Sequence, residues 1–130
     1  FTTDRINKRM VATSVSGELH EIGMRMVADF FEMEGWDTYY IGANAPISAV
    51  LSTIESMNVD LVCISATMVF HITTVKELIE SIRATKTGSH IKILVGGYAF
   101  MSSDDLWLKV GADGFGRNAQ EAIEIAHELV

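Results

Sequence analysis

The chain has 130 residues, 48% of them hydrophobic, a formal net charge of −7 and one cysteine. That is enough for one domain with a single core, too apolar for disorder, and too acidic to grip nucleic acid by itself, because phosphate contacts need clustered Lys and Arg. No apolar run approaches the ~20 residues that span a bilayer and no signal-peptide pattern opens the chain, so no membrane partner is expected. Cys63, alone in an apolar run, has no internal disulfide partner and fits a reducing cytoplasm, and Cys-rich zinc spacing is absent. The chain starts at Phe1 rather than Met, so residues 1–130 read as one domain excised from a longer protein.

The elements follow in order. RMVATSV (9–15) reads as a strand. Ile22, Met26, Phe30 and Met33 then recur at helical spacing, and Gly35 closes that helix. DTYYIG (37–42) is a second strand. Pro46 suits a first helical turn, with Ile47, Val50, Leu51 and Ile54 on one face. DLVCIS (60–65) is a third strand, apolar almost throughout. Thr74 and Glu77 have capping-box spacing ahead of Val75, Leu78, Ile79 and Ile82. IKILV (91–95) is a fourth strand, ending at Gly96-Gly97. A short helix is expected over 104–110 and a fifth strand over ADGFG (112–116). Asn118 and Glu121 form a second capping box before a final helix that faces inward through Ala122, Ile123 and Ala126.

Strand and helix alternate five times, which means parallel strands joined by crossover helices. The continuous apolar strands agree, being suited to burial on both faces. The expected fold is α/β: a flavodoxin-like, doubly wound, five-stranded parallel sheet with helices on both faces.

Ligands of such sheets sit beyond the carboxyl ends of the strands. The loops there are SVSGELHEIG, GANAP, SATMVFH, GGYAF and GFGRN. They disfavour three familiar uses of the fold. A dinucleotide site wants G-x-G-x-x-G after the first strand, where this chain has G-E-L-H-E-I-G. A flavin phosphate would meet carboxylates in that loop. A receiver domain wants an aspartate at the end of the third strand, which here ends Cys63-Ile64-Ser65.

The first loop holds His20 between Glu18 and Glu21, followed by Gly23. Carboxylates suit the positive end of a helix, so both acids have a plain explanation as caps. A neutral imidazole also ligates metal through one nitrogen while its other nitrogen donates to a carboxylate, and Glu18 can fold back to accept that proton. Gly23 allows close approach at the helix start. One strong ligand does not hold a simple ion, which wants three or four. A single histidine points to a metal that brings its other ligands with it, in a corrin or a porphyrin.

E-L-H-E-I-G resembles the D-x-H-x-x-G signature of cobalamin-binding domains, as found in methionine synthase, corrinoid methyltransferase proteins, the carbon-skeleton mutases and cobalamin-dependent photoreceptor regulators. Those domains carry S-x-L after the third strand and G-G after the fourth; here stand Ser65-Ala66-Thr67 and Gly96-Gly97. GADGFGRN is similar to the family's fifth-strand region. The resemblance covers the chain from about Arg9 onward. It implies that cobalamin binds base-off, its benzimidazole tail threaded into a pocket between strands and helices. His20 then becomes the lower axial ligand of cobalt, and Glu18 orients and tunes it. Ser65 hydrogen-bonds the buried tail, and Gly96 and Gly97 leave room for the nucleotide. The implied cofactor-binding set is Glu18, Leu19, His20, Glu21, Ile22, Gly23, Ser65, Thr67, Gly96, Gly97 and Tyr98, with His20 as the metal ligand and no catalytic residue.

The chain departs from the family pattern in places. Glu18 is a methylene longer than the commoner Asp, and Glu there is familiar in regulator-type members. Thr67 replaces Leu. His71 falls where methionine synthase-like members carry a serine; it is a cap or surface residue, or a relay to Glu18. His90 and His127 are expected in solvent, and Trp36 and Trp107 in packing. The expected function is therefore the cobalamin module of a sensor, transcriptional or signalling regulator, coupled to an upstream helical cap or a neighbouring effector domain rather than catalytic by itself. A corrinoid carrier that shuttles methyl groups between methyltransferases is the alternative. A haem-binding sensor and an interaction domain without cofactor are readings of other classes.

Overall fold

The structure, a computed structural model, describes residues 6–15, 21–42, 45–86, 88–101 and 103–130, and of residues 21–23 and 89 the backbone alone. Five strands, β1 (Arg9–Ser14), β2 (Asp37–Ile41), β3 (Leu61–Ser65), β4 (Lys92–Gly96) and β5 (Gly114–Gly116), form one sheet in the order β2-β1-β3-β4-β5. Every pairing is parallel. This is the flavodoxin-like order expected from the alternation of elements. Five helices connect and close it: α1 (Glu21–Met33), α2 (Ile47–Met57), α3 (Ile72–Arg83), α4 (Leu106–Lys109) and α5 (Ala119–Leu129).

Side chains of a strand alternate between faces, so a strand buried on both sides feeds two cores. Val11, Val62, Ile64, Ile93 and Val95 pack under α2 and α3 with Val50, Ile54, Val75, Leu78, Ile79 and Ile82. Met10, Ala12, Leu61, Cys63 and Leu94 pack under α1 and α5 with Met24, Ala28, Phe31, Ala122, Ile123 and Ala126. Trp36 is wholly buried in this second core, with Phe31 edge-on at 5.3 Å and 74°; the exposed His127 lies nearly parallel to its ring at 6.3 Å and 9°. Trp107 packs against the first core and donates from Nε1 to the Asp104 carbonyl at 3.1 Å.

Two expectations need correction. The stripe Met26, Phe30 and Met33 does not face the sheet: these side chains are 54%, 42% and 40% exposed, and Met24, Ala28 and Phe31 are buried instead. Helix α1 is apolar around much of its girth, so spacing admits two stripes. The sheet takes the one that places small Ala28 close and Phe31 against Trp36. Thr74 and Glu77 do not cap α3 either. A 3-10 turn over Val69–His71 leads straight into that helix, and its N-cap His71 makes no side-chain cap bond. The second capping box is real: Asn118 accepts from the Glu121 N–H at 2.9 Å, while Glu121 accepts from the Arg117 N–H at 3.1 Å.

The amino end of the sheet is held by two arginines. Arg9 donates from Nε to Asp37 at 3.0 Å and from Nη1 to the Met57 carbonyl, and its N–H donates to Asp60 at 2.9 Å. Arg83 reaches from α3 to the Ile91 and Gly111 carbonyls and to Asp113 at 2.9 Å. Asp113 in turn accepts from the Ile93 N–H at 2.8 Å, so one carboxylate ties α3, β4 and the entry to β5 together. Asp113→Ala removes that acceptor and leaves a guanidinium and an amide without it. We expect a loss of about 1–3 kcal/mol, read as a lower urea midpoint at unchanged slope.

Candidate functional site

The carboxyl ends of the strands open onto a cavity of ≈ 300 Å³ between α1 and α5. Its floor is Cys63, Ser65, Leu94, Val95, Gly96 and Gly116, from β3, β4 and β5. One wall is Met24, Met26, Val27 and Phe30 of α1, and the other is Ala119 and Ala122 of α5, with Arg117 and Asn118 at that helix's start. Small residues stand where the sheet meets α5 at one side of the cavity. A Cβ on Gly116 would sit 2.9 Å from the Ala122 Cα, so glycine lets that helix pack close on β5.

The two loops beside the cavity are laced together by backbone. The Ala66 N–H donates to the Gly96 carbonyl and the Ala99 N–H to the Ala66 carbonyl, both at 3.1 Å. Gly97 has φ +99° and ψ 167°, a region open in practice to glycine alone. A Cβ there would lie 2.3 Å from the Ala66 carbonyl oxygen, and one on Gly96 3.0 Å from the Gly116 oxygen. The chain itself thus requires glycine at 97, whatever ligand passes beside it. The 3-10 turns that follow β3 and β4, Val69–His71 and Tyr98–Phe100, touch one another.

Within the cavity the polar inventory is short. The Ser65 hydroxyl has no hydrogen-bond partner among the described residues, and the Arg117 side chain has no ion pair among them. Burial pushes the Cys63 thiol up to about 12, so it stays a protonated, weakly polar wall. On β1, the residue paired with Ser65 is Ser14, whose Oγ is buried and has no partner among the described residues.

The structure brings Ser65, Gly96 and Gly97 to one cavity. Thr67 and Tyr98 lie outside its lining, and Tyr98 is 74% exposed. Glu21, Ile22 and Gly23 are the first three residues of α1. Glu18, Leu19 and His20 fall outside the described residues, immediately before that helix. His71 sits in the turn after β3 with its ring 4.5 Å from Phe70. Reading the sequence missed the apolar lining: Met24, Val27, Leu94, Gly116 and Ala122. The GFGRN segment was the available signal, since it stands at a carboxyl end and starts α5.

Comparison with known proteins gives the class. The B12 binding domain family matches residues 8–124. Dimethylamine corrinoid protein 2 of Methanosarcina mazei is 30% identical over 122 residues, covering 93% of this chain and 56% of that protein. Among solved structures, a cobalamin-binding protein from Desulfitobacterium hafniense superimposes with TM-score 0.87 at 22% identity, over 95% of this chain and 59% of that one. The Methanosarcina barkeri monomethylamine corrinoid protein gives 0.82 at 26% identity, over 94% and 58%. The chain thus spans little more than half the length of the relatives it matches.

The chain belongs to the B12 binding domain family, and its cofactor is cobalamin, with cobalt as the metal. That choice sets haem aside. The cavity fits the group: it opens at the carboxyl ends of the strands, is walled largely by apolar side chains, and holds the uncommitted Ser65 hydroxyl. Among the described residues, no helix is long and apolar enough to cross a membrane.

Two measurements check the geometry. Gly97→Ala should destabilise the fold by about 1–3 kcal/mol, seen as a lower midpoint in thermal or urea unfolding without ligand, because the strain is in the backbone. Cys63 should resist iodoacetamide at pH 8 in the folded protein and react after denaturation, as followed by mass spectrometry.

Proposed function

We propose that this domain is the cofactor module of a corrinoid methyl carrier. The observation that carries the base-off part of this reading is the apolar cavity between α1 and α5, which can receive a nucleotide tail. The carrier part is supported by the likeness to dimethylamine and monomethylamine corrinoid proteins, and takes the place of the sensor or regulator expected from Glu18. When bound, cobalamin supplies a cobalt centre able to accept a methyl group and hand it on. The residues of this chain hold and orient it. His20, just before α1, would hold the cobalt through Nε2, and Glu18 would accept the Nδ1 proton to keep that nitrogen free. Ser65 donates to the tail, while Met24, Val27 and Leu94 keep water from it.

The partner in this reading is a methyltransferase. Val69, Phe70 and Tyr98, 61%, 70% and 74% exposed on the touching turns after β3 and β4, give an apolar surface at the ligand edge for a protein to approach. A helical cap elsewhere in the full protein is part of the same proposal, supported by the greater length of the matched relatives.

His20→Ala should remove the base-off, histidine-ligated absorption spectrum of bound cobalamin, or weaken binding by roughly tenfold or more, because the only protein bond to cobalt is lost. An unchanged spectrum and affinity would take His20 out of the site. Tail entry is checked separately: cobinamide, which lacks the nucleotide, should bind more weakly than cobalamin.

A further inference from the structure

We infer that Ser14 is a positioning residue for the cofactor tail: its hydroxyl donates to Ser65, and Ser65 donates onward to the base. This rests on the reading that the tail enters the cavity and is met there by Ser65. Ser14 is 2% exposed, and its Oγ is buried with no hydrogen-bond partner among the described residues. A buried hydroxyl left in that state is costly, and such groups are rare in folded chains unless a water or a ligand completes them.

The sheet places a partner beside it. Met10 and Ala12 face α1 and α5, so strand alternation turns Ser14 to the same face, and Leu61 and Cys63 do the same for Ser65 on β3. Ser14 and Ser65 are register partners, and their row continues through Gly96 to Gly116. β2 pairs with β1 only as far as Thr13, so Ser65 is the residue registered beside Ser14. The row beneath is Ala12, Cys63, Leu94 and Gly114, none of which brings a side-chain oxygen. Neighbouring strands lie about 4.8 Å apart, so rotation of the two side chains about χ1 brings the hydroxyls together. Ser65 lines the cavity and Ser14 does not, which makes Ser65 the contact and Ser14 the residue behind it. A hydroxyl has one proton to give and two lone pairs that accept. Seating the tail fixes Ser65 as a donor to the acceptor nitrogen of the base and leaves its lone pairs to Ser14. Each bond in such a chain polarises the next, so Ser14 strengthens a contact that it does not itself make.

The test is equilibrium binding of cobalamin and of cobinamide, followed by quenching of tryptophan fluorescence, to the cobalamin-free parent, Ser14→Ala, Ser65→Ala and the double variant. Ser14→Ala should weaken cobalamin by roughly three- to tenfold and leave cobinamide unchanged. In the Ser65→Ala background it should change neither, because the residue it acts through is gone. Its urea midpoint without ligand should be no lower than the parent's, since the substitution removes an unpaired buried group. Ser14→Thr keeps the hydroxyl and should keep the parent's ratio of affinities. A ratio unchanged by Ser14→Ala, or full additivity with Ser65→Ala, would overturn the inference while tail entry stands. Equal loss for both ligands together with a lower midpoint would reduce Ser14 to a structural role and overturn it as well. If cobinamide binds the parent as tightly as cobalamin, the tail does not enter and both readings fall.

Discussion

The site depends on one backbone contact. Where the chain leaves β4 it bends back at Gly97 with φ +99°, and the Ala66 carbonyl occupies the space a side chain would fill. The same carbonyl accepts from the Ala99 N–H, and the Ala66 N–H donates to Gly96. The loops after β3 and β4 are thereby joined into one edge. Ser65 is held on one side of it and the exposed turns with Phe70 and Tyr98 follow on the other. A side chain at 97 would separate the two loops, and with them the hydroxyl and the mouth of the cavity.

The cavity is placed by the division of the core. Strand alternation sends Val11, Val62, Ile64, Ile93 and Val95 to α2 and α3, where they join one core cluster. On the other face the strands present Ala12, Cys63, Leu94 and the glycines, which are smaller toward the carboxyl end. Helices α1 and α5 pack tightly lower down, through Phe31, Trp36, Ile123 and Ala126, and leave a gap above. A gap lined by Met24, Val27 and Phe30 would be a weak point in a sealed core, since lining atoms lose packing partners. Under the proposed reading, a cofactor tail would fill that gap and complete the core.

The polar clamps lie at the opposite edge. Arg9 and Arg83 each gather a carboxylate and backbone carbonyls at the amino ends of the strands. Stability there comes from charge-assisted bonds in half-buried positions, and the ligand edge is left to glycine, small residues and exposed apolar turns. This is the usual division of open α/β sheets, in which the scaffold is fixed at one end and function built from loops at the other.

The sequence by itself determined the element order, the parallel sheet and its flavodoxin-like topology, because apolar runs and turn residues carry that information locally. It also determined the family, because E-L-H-E-I-G, Ser65 and Gly96-Gly97 stand in order at three carboxyl ends. Three things were decided only by tertiary structure. Which stripe of α1 faces inward depended on the sheet beneath it, since Met26, Phe30 and Met33 are as well spaced as Met24, Ala28 and Phe31. The start of α3 was decided by the turn after β3, which made Thr74 and Glu77 interior to the helix. The cavity wall was legible in neither spacing nor motif: Val27, Leu94 and Ala122 come from three elements far apart in the chain, and apolar residues carry no mark that distinguishes lining a gap from filling a core. Only their assembly around one opening between α1 and α5 makes that distinction.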